Sequence, residues 1–187
     1  MFPEARYFSA DVVHEADETA YAFLKDTEEV QYLGDEPIHF APAESLDIGI
    51  IFYTGGKVDE VSYTPIMQPL AEFGYETFIP KMPFNLAVFN VDAADAIIED
   101  NPEIDFWYVG GHSLGAAMAA SYVADNLDKI EGLILFSYHN HNKKVELCLL
   151  YRACIQKVQI KRLAFSLPHL ASIDCIQNTY LVRLDEL

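Results

Sequence analysis

The sequence predicts an α/β fold, an open and mostly parallel sheet with helices on both faces. Four short apolar runs rich in β-branched and aromatic residues recur at 48–53, 75–80, 106–109 and 132–136. Their centres lie 26, 29 and 27 residues apart, which is about the length of a βα unit. The runs are apolar on both alternating faces, as expected of strands buried on both sides of a parallel sheet. Alternating strands and helices favour this architecture.

Helical periodicity fills the gaps between these runs. From Tyr63 to Phe73, apolar residues recur at i, i+3, i+4, i+7 and i+10, and Gly74 is a natural stop. Residues 28–41 are typical of one or two antiparallel strands at the sheet edge. Three further helices are predicted: a surface helix at 16–26, a helix around 94–98 that ends before Pro102, and an alanine-rich helix at 114–127.

The composition changes abruptly after Ser137. Residues 1–137 hold 5 basic and 25 acidic residues and all nine glycines, whereas residues 138–187 hold 7 basic and 4 acidic residues and no glycine. We therefore divide the chain into a core at 1–137 and an atypical tail at 138–187. The tail is either a helical terminal cap or a segment foreign to the fold, such as the product of a truncation or a reading-frame shift. The sheet is expected to lack its last strands.

Charge and cysteine content limit the classes of partner and compartment. The net charge of −17 repels phosphate backbones, so nucleic acid is not an expected partner. The chain contains no run of about 18 apolar residues, so no membrane span is predicted. The N-terminal segment does not resemble a signal peptide. The three cysteines, all in the tail, match no zinc or redox spacing and are interpreted as reduced thiols. A cytoplasmic protein is expected.

A Gly-x-Ser-x-Gly motif lies between the third run and the alanine-rich helix. Its residues are Gly111, His112, Ser113, Leu114 and Gly115. This strand–turn–helix setting is typical of a nucleophile elbow, in which a sharp turn projects the serine hydroxyl at the carboxyl end of the sheet. The backbone N–H of Leu114 would then face a developing oxyanion. The alternative is a tight turn with a solvent-exposed serine.

Two other segments follow predicted strands and reach the same edge of the sheet. TGGKV at 54–58 follows the first run, and its glycines would let the backbone approach a substrate carbonyl, with Gly56 or else Lys57 as a second oxyanion donor. An ordinary glycine turn is the alternative. Lys81 and Asn85 follow the second run and are candidate pocket residues, a salt bridge or a loop cap being the alternative.

The stretches GIIFYTGGKV, KMPFNLAVF and FWYVGGHSLGAAMAASYVA together resemble the α/β-hydrolase fold, in particular small bacterial serine hydrolases close to the dienelactone hydrolases. The resemblance covers roughly residues 11–136. It implies a serine hydrolase acting on an ester, lactone, thioester or similar acyl compound. It also implies Ser113 as the nucleophile, with the N–H groups of Leu114 and Gly56 as the oxyanion hole. We predict no cofactor and no metal site.

A serine nucleophile needs a base and an acid that orients the base. In this fold the chain order is serine, acid, histidine, so His14 and His39 come too early. His169 is compatible with that order, and Glu146 is then the acid between it and Ser113. The alternative is that Glu146 and His169 are solvated surface residues.

Two functions remain open from the sequence. The first is a hydrolase with a small-molecule acyl substrate. The second is a truncated, catalytically impaired protein of the same fold that acts as a binding or interaction module. In the second case, an exposed sheet edge would promote self-association.

Overall fold

A seven-stranded sheet forms the centre of the computed structural model, which describes residues 13–139 and 144–150. The four runs predicted to be buried strands are all strands, and the segment at 28–41 forms an antiparallel pair. The strands are β1 (Val30–Asp35), β2 (Ile38–Pro42), β3 (Ile48–Tyr53), β4 (Glu76–Ile79), β5 (Phe106–His112), β6 (Gly132–His139) and β7 (Lys144–Leu150).

The order of strands in the sheet is β1-β2-β4-β3-β5-β6-β7. β4, β3, β5 and β6 are parallel to one another. The β1–β2 pair joins β4 in antiparallel orientation at one edge, and β7 joins β6 in antiparallel orientation at the other. The sheet is therefore mostly parallel, and the carboxyl ends of its four central strands meet at one edge.

The part of the chain that the structure describes also holds four α-helices and three 3₁₀ turns. The surface helix predicted at 16–26 is only one turn long, whereas the other three predicted helices lie where the periodicity indicates. The helices are α1 (Glu18–Tyr21), α2 (Thr64–Glu72), α3 (Ala93–Asp100) and α4 (Leu114–Asp125). The 3₁₀ turns are Glu60–Tyr63, Pro83–Asn85 and Ala87–Phe89.

Two hydrophobic cores lie on opposite faces of the sheet. Successive side chains of β3 alternate between them: Ile51 and Tyr53 enter one core, and Ile50 and Phe52 enter the other. α3 and α4 cover the first core, and α1 and α2 cover the second. Because the central strands bury both faces, they must be apolar at consecutive positions, which is why the sequence pattern identified them.

The predicted helical tail is wrong where the structure describes it. Lys144–Leu150 form a strand that pairs with β6 along its whole length, from Leu133↔Leu150 to His139↔Lys144. β6 itself continues past the proposed boundary at residue 137. β6 is therefore paired on both sides, with β5 and with β7. Residues 151–187 lie outside the described part of the chain.

The described helices are short. α4, with 12 residues, is the longest among residues 13–139, and a membrane crossing takes about 20 apolar residues. Within the part of the chain that the structure describes, no helix is long and apolar enough for such a crossing.

Candidate active site

Ser113 stands at a sharp junction between β5 and α4. Its backbone angles, φ 53° and ψ −115°, lie outside the regions that a side chain normally permits. Such a conformation costs on the order of 1–3 kcal/mol and persists only where its surroundings hold it. Here the Ser113 N–H donates to the Phe136 carbonyl at 3.3 Å, and its carbonyl accepts from the Ala117 N–H at 3.2 Å. The side chain is exposed at the carboxyl edge of the sheet.

The two glycines of the motif are required by close backbone contacts. A Cβ on Gly111 would lie 2.5 Å from the carbonyl carbon of Gly115. A Cβ on Gly115 would lie 2.3 Å from the carbonyl oxygens of both Tyr53 and Thr54. The first turn of α4 is therefore pressed directly onto the end of β3, which the Gly-x-Ser-x-Gly spacing permits.

The first N–H groups of α4 are candidate oxyanion donors. Leu114 begins the helix, so its N–H has no partner one turn earlier, and the helix dipole favours negative charge at this end. The loop after β3 approaches the same point, because a Cβ on Gly56 would lie 3.5 Å from the Cβ of Leu114. Within the described residues, the Gly56 N–H makes no hydrogen bond.

Lys57 is not available as the alternative donor. Its N–H donates to the Asn85 carbonyl at 2.7 Å, and its carbonyl accepts from the His14 N–H at 2.6 Å. Both backbone groups of Lys57 are therefore committed, and its φ of 62° shows the tight turn that this requires. Of the two predicted donors in the loop, Gly56 remains.

Hydrogen bonds join Gly55, in the loop that carries Gly56, to Tyr63 and His112. The Gly55 N–H donates to the Tyr63 hydroxyl oxygen at 2.9 Å. The same hydroxyl lies 3.0 Å from Nδ1 of His112, the residue before the candidate nucleophile. Burial lowers the pKa of His112 below its ordinary value and raises that of Tyr63. Both groups are therefore neutral near pH 7.

The segment after β4 forms one wall beside the Gly56 loop. Phe84 and Asn85 both have left-handed backbone, with φ of 57° and 53°. Leu86 reaches toward the loop, since a Cβ on Gly56 would lie 3.6 Å from its Cδ2. Phe84 and Phe89 are 77% and 61% exposed, and their rings meet edge to face at 5.8 Å. An apolar surface thus lies next to the candidate oxyanion donors.

Lys81, a predicted pocket residue, is held in ion pairs at the surface. Its Nζ lies 3.2 Å from Oε1 of Glu36 and 3.5 Å from Oε1 of Glu60. These two carboxylates raise the pKa of Lys81. The salt-bridge alternative is therefore the one observed. Asn85 contributes its backbone carbonyl to the Lys57 N–H, as described above.

The comparison with known families identifies the family to which this fold belongs. The sequence profile of the Alpha/beta hydrolase family matches residues 49–151, which is more than half of the chain. The chain belongs to this family. The match extends from β3 through the end of β7, so it includes the first residues of the segment with atypical composition. A search of curated proteins found no match.

Three solved structures are similar to this α/β hydrolase at low identity. A hormone-sensitive lipase from a metagenome library is 17% identical, with a TM-score of 0.47 over 64% of this chain and 50% of its own. A probable hydrolytic enzyme from Pseudomonas aeruginosa PAO1 is 18% identical, with a TM-score of 0.43 over 68% and 46%. The carboxylesterase CesB from Bacillus subtilis is 12% identical, with a TM-score of 0.40 over 62% and 45%. The chain thus spans about half of the length of these structures or less.

The predicted acid of this α/β hydrolase lies on β7. Glu146 pairs with Ser137, one residue beyond the Phe136 that pairs with His112. Its backbone therefore stands near the level of the elbow, two strands from β5, or about 10 Å at the usual strand spacing. His169, the predicted base, lies outside the described residues.

The structure brings in functional candidates that the sequence pattern did not indicate. Tyr63 was counted in the apolar stripe of a helix, but it ends the 3₁₀ turn before α2 and directs its hydroxyl to Gly55. His112 was counted only as a member of the motif. The two residues are 49 positions apart, and no spacing rule links them. The sequence offered one indication: Tyr63, the most polar residue of its apolar helical stripe, follows the glycine-rich segment at 54–58.

The described residues hold no cluster of three or more histidine, cysteine or acidic side chains that could bind a metal ion. His39 does meet a carboxylate, with Nε2 2.7 Å from Oε2 of Glu76, but its ring stacks on Phe78 between β2 and β4. The strands that carry this pair, β2 and β4, are separated from β5 by β3.

Proposed function

We propose that this α/β hydrolase is a serine hydrolase that cleaves an ester, lactone or thioester through Ser113. The observation that supports this most directly is the conformation of Ser113. Its backbone is strained and is held by hydrogen bonds of both its N–H and its carbonyl group, and its side chain is exposed. A serine that only filled a turn would not need a conformation costing about 1–3 kcal/mol. Strain of this kind is typical of a nucleophile elbow.

The proposed reaction begins with attack of the Ser113 Oγ on the substrate carbonyl carbon. A base takes the hydroxyl proton as the C–O bond forms, and the N–H groups of Leu114 and Gly56 stabilise the oxyanion. Collapse of the tetrahedral intermediate expels the alcohol or thiol, which receives the proton from the base. Water then attacks the acyl-serine by the same steps and releases the acid.

Glu146 and His169 are proposed as the acid and base. In support, the backbone register places Glu146, on β7, opposite Ser137, two strands from β5 and near the level of Ser113. Replacing either His169 by Ala or Glu146 by Gln is expected to lower kcat. A loss of about 10³-fold or more is expected for the base, because without it only the oxyanion hole and substrate binding remain.

Labelling with a fluorophosphonate probe tests the nucleophile. We expect rapid, stoichiometric modification of Ser113, located by mass spectrometry of peptides. The Ser113→Ala protein should not react, whereas the Ser121→Ala protein, which lacks an exposed serine elsewhere on α4, should react like the parent. A folded parent protein that does not react, or one that reacts equally after Ser113→Ala, would contradict the proposal.

One observation favours the second candidate, a binding module without catalysis. The exposed rings of Phe84 and Phe89 form an apolar surface beside the Gly56 loop, and an apolar ligand could bind there without reacting. The same labelling separates the two functions. A binding module would retain an apolar ligand, measured by calorimetry with an unreactive alkyl ketone, but would not take up the probe.

A further inference from the structure

We propose that Tyr63 and His112 are positioning residues that hold the loop carrying the Gly56 oxyanion donor. This inference depends on the proposed function, since it assigns the support of the same oxyanion hole. The hydrogen bonds run in sequence from Gly55 N–H to Tyr63 hydroxyl to His112 Nδ1, at 2.9 and 3.0 Å. They connect the residue before the donor with the residue before the nucleophile.

The donors and acceptors of this chain match when His112 carries its proton on Nε2. The Tyr63 oxygen already accepts the Gly55 N–H, so the hydroxyl proton needs an acceptor of its own. Nδ1 of a neutral imidazole supplies it. A proton on Nδ1 would give Tyr63 two donors and leave its hydroxyl proton without an acceptor within the described residues. We therefore assign the Nε2–H tautomer.

The surroundings of Tyr63 leave its hydroxyl little freedom. The side chain is 7% exposed, and its ring packs on Phe52 at a centroid distance of 5.0 Å. On the other side, Gly55 leaves no room for a side chain, because a Cβ there would lie 2.7 Å from His112 Nδ1 and 2.9 Å from the Tyr63 oxygen. The three groups thus pack closely against one another, with Gly55 and Tyr63 buried and His112 partly buried.

The consequence for catalysis is geometric. The peptide group between Gly55 and Gly56 carries the Gly56 N–H, so a shift at Gly55 moves the donor directly. An oxyanion donor acts only within hydrogen-bond distance of the developing charge, and displacement by about 1 Å can cost about 100-fold in rate. Since Tyr63 and His112 do not donate to the oxyanion themselves, their effect is on kcat through Gly56.

Steady-state kinetics of Tyr63→Phe is the first test, with p-nitrophenyl acetate and butyrate as substrates. We expect kcat to fall about 10- to 100-fold while KM changes by less than about twofold. Tyr122→Phe is the matched control. It also removes a buried tyrosine hydroxyl, one that donates to Asp95 at 2.8 Å far along α4, and it should keep the kcat of the parent. Equal kcat in both variants would overturn the proposal.

Substitution of His112 separates positioning from packing. In His112→Asn, the side-chain Oδ1 replaces Nδ1 as acceptor, so we expect kcat within about threefold of the parent. His112→Leu fills similar space without an acceptor and should lose as much kcat as Tyr63→Phe. The double variant Tyr63→Phe/His112→Leu should be no worse than either single one, because one hydrogen-bonded chain is removed in each case.

The Gly55 amide gives a readout that does not need activity. In ¹H–¹⁵N NMR of the folded protein, we expect its signal to shift with pH as His112 protonates, below pH 6.5. Tyr63 is the titratable group in contact with that imidazole, and within the described residues no charged side chain pairs with it. The shift should vanish in His112→Asn, and Gly55 should exchange faster in Tyr63→Phe.

The two sets of results distinguish the two proposals. If the hydrogen-bonded chain is seen by NMR but the parent protein has no esterase activity, the proposed function fails while the described contacts stand. If the parent is active but Tyr63→Phe leaves kcat and the Gly55 exchange rate unchanged, the positioning role is wrong and the hydrolase remains.

Discussion

At the residue scale, the sharp turn at Ser113 depends on the absence of side chains at Gly111 and Gly115. Ser113 holds an unfavourable conformation because Gly111 and Gly115 let β5, α4 and the end of β3 approach one another. The Gly115 position shows the closest approach, with two carbonyl oxygens 2.3 Å from where a Cβ would stand. The strain at the serine is therefore offset by packing that no larger residue would allow.

Gly115→Ala is expected to destabilise the protein by about 1–2 kcal/mol. Alanine favours a helix over glycine by about 1 kcal/mol, but a Cβ at 2.3 Å from two backbone oxygens must push α4 off the sheet, and such overpacking costs more. Urea unfolding followed by circular dichroism measures the change in the free energy of unfolding.

Gly56→Ala is the matched control for that experiment. Its Cβ would meet the flexible end of Leu114 at 3.2 Å, and its φ is not in the left-handed region, so its cost should stay below about 1 kcal/mol. Equal stability losses in the two variants would contradict the view that backbone contact at Gly115 is special.

At the element scale, short turns at the carboxyl ends of the strands position the candidate site. The 3₁₀ turn Glu60–Tyr63 places Tyr63 under the Gly55 loop, and it begins at Asp59, whose side chain accepts the Val61 N–H at 2.9 Å. The Asp59 N–H also donates to the His14 carbonyl at 3.0 Å. The N-terminal segment, the loop after β3 and the turn are thus joined at one residue.

Asp59→Ala is expected to lower the free energy of unfolding by about 1 kcal/mol, because the Val61 N–H loses its side-chain acceptor. Asp59→Asn keeps an oxygen that caps equally well, so it should remain within a few tenths of a kcal/mol of the parent. Thermal and urea unfolding of the two variants provide the measurement. An Asn variant as unstable as the Ala variant would show that charge, rather than capping, is what Asp59 contributes.

At the scale of the whole molecule, three buried tyrosines link the sheet to its helices. Tyr53 donates to the Val91 carbonyl and accepts from the Ala94 N–H, and Tyr122 donates to Asp95. Burial is the main cause that raises the pKa of each, and of Tyr63, above the ordinary value of 10.0. The two cores on opposite faces of the sheet therefore both contain phenols that resist ionisation.

The protein is expected to lose stability steeply above about pH 10. The unfolded chain releases these phenolic protons at the ordinary pKa while the folded chain retains them, so the folded state binds more protons and the free energy of unfolding falls as pH rises. Each tyrosine contributes up to about 1.4 kcal/mol per pH unit in this range. Urea unfolding from pH 8 to pH 11 measures the slope.

Tyr53→Phe should make that slope shallower by up to about 1.4 kcal/mol per pH unit, after an initial loss at pH 8 from the removed hydrogen bonds. An unchanged slope in this variant would mean that Tyr53 ionises in the folded protein as readily as in the unfolded chain.

The amino-acid sequence by itself determined the central strands, their connecting helices and the strand–turn–helix junction at Ser113. These features are local: a strand buried on both faces must be apolar at consecutive positions, and a strand–turn–helix junction must have small residues on either side of its serine. Only the tertiary structure decided that Lys57 is committed to Asn85, that Lys144–Leu150 pair with β6, and that Tyr63 joins Gly55 to His112. The physical reason is that these contacts depend on how separate elements pack across the sheet. A hydrogen bond between residues 49 positions apart leaves no periodicity in the chain.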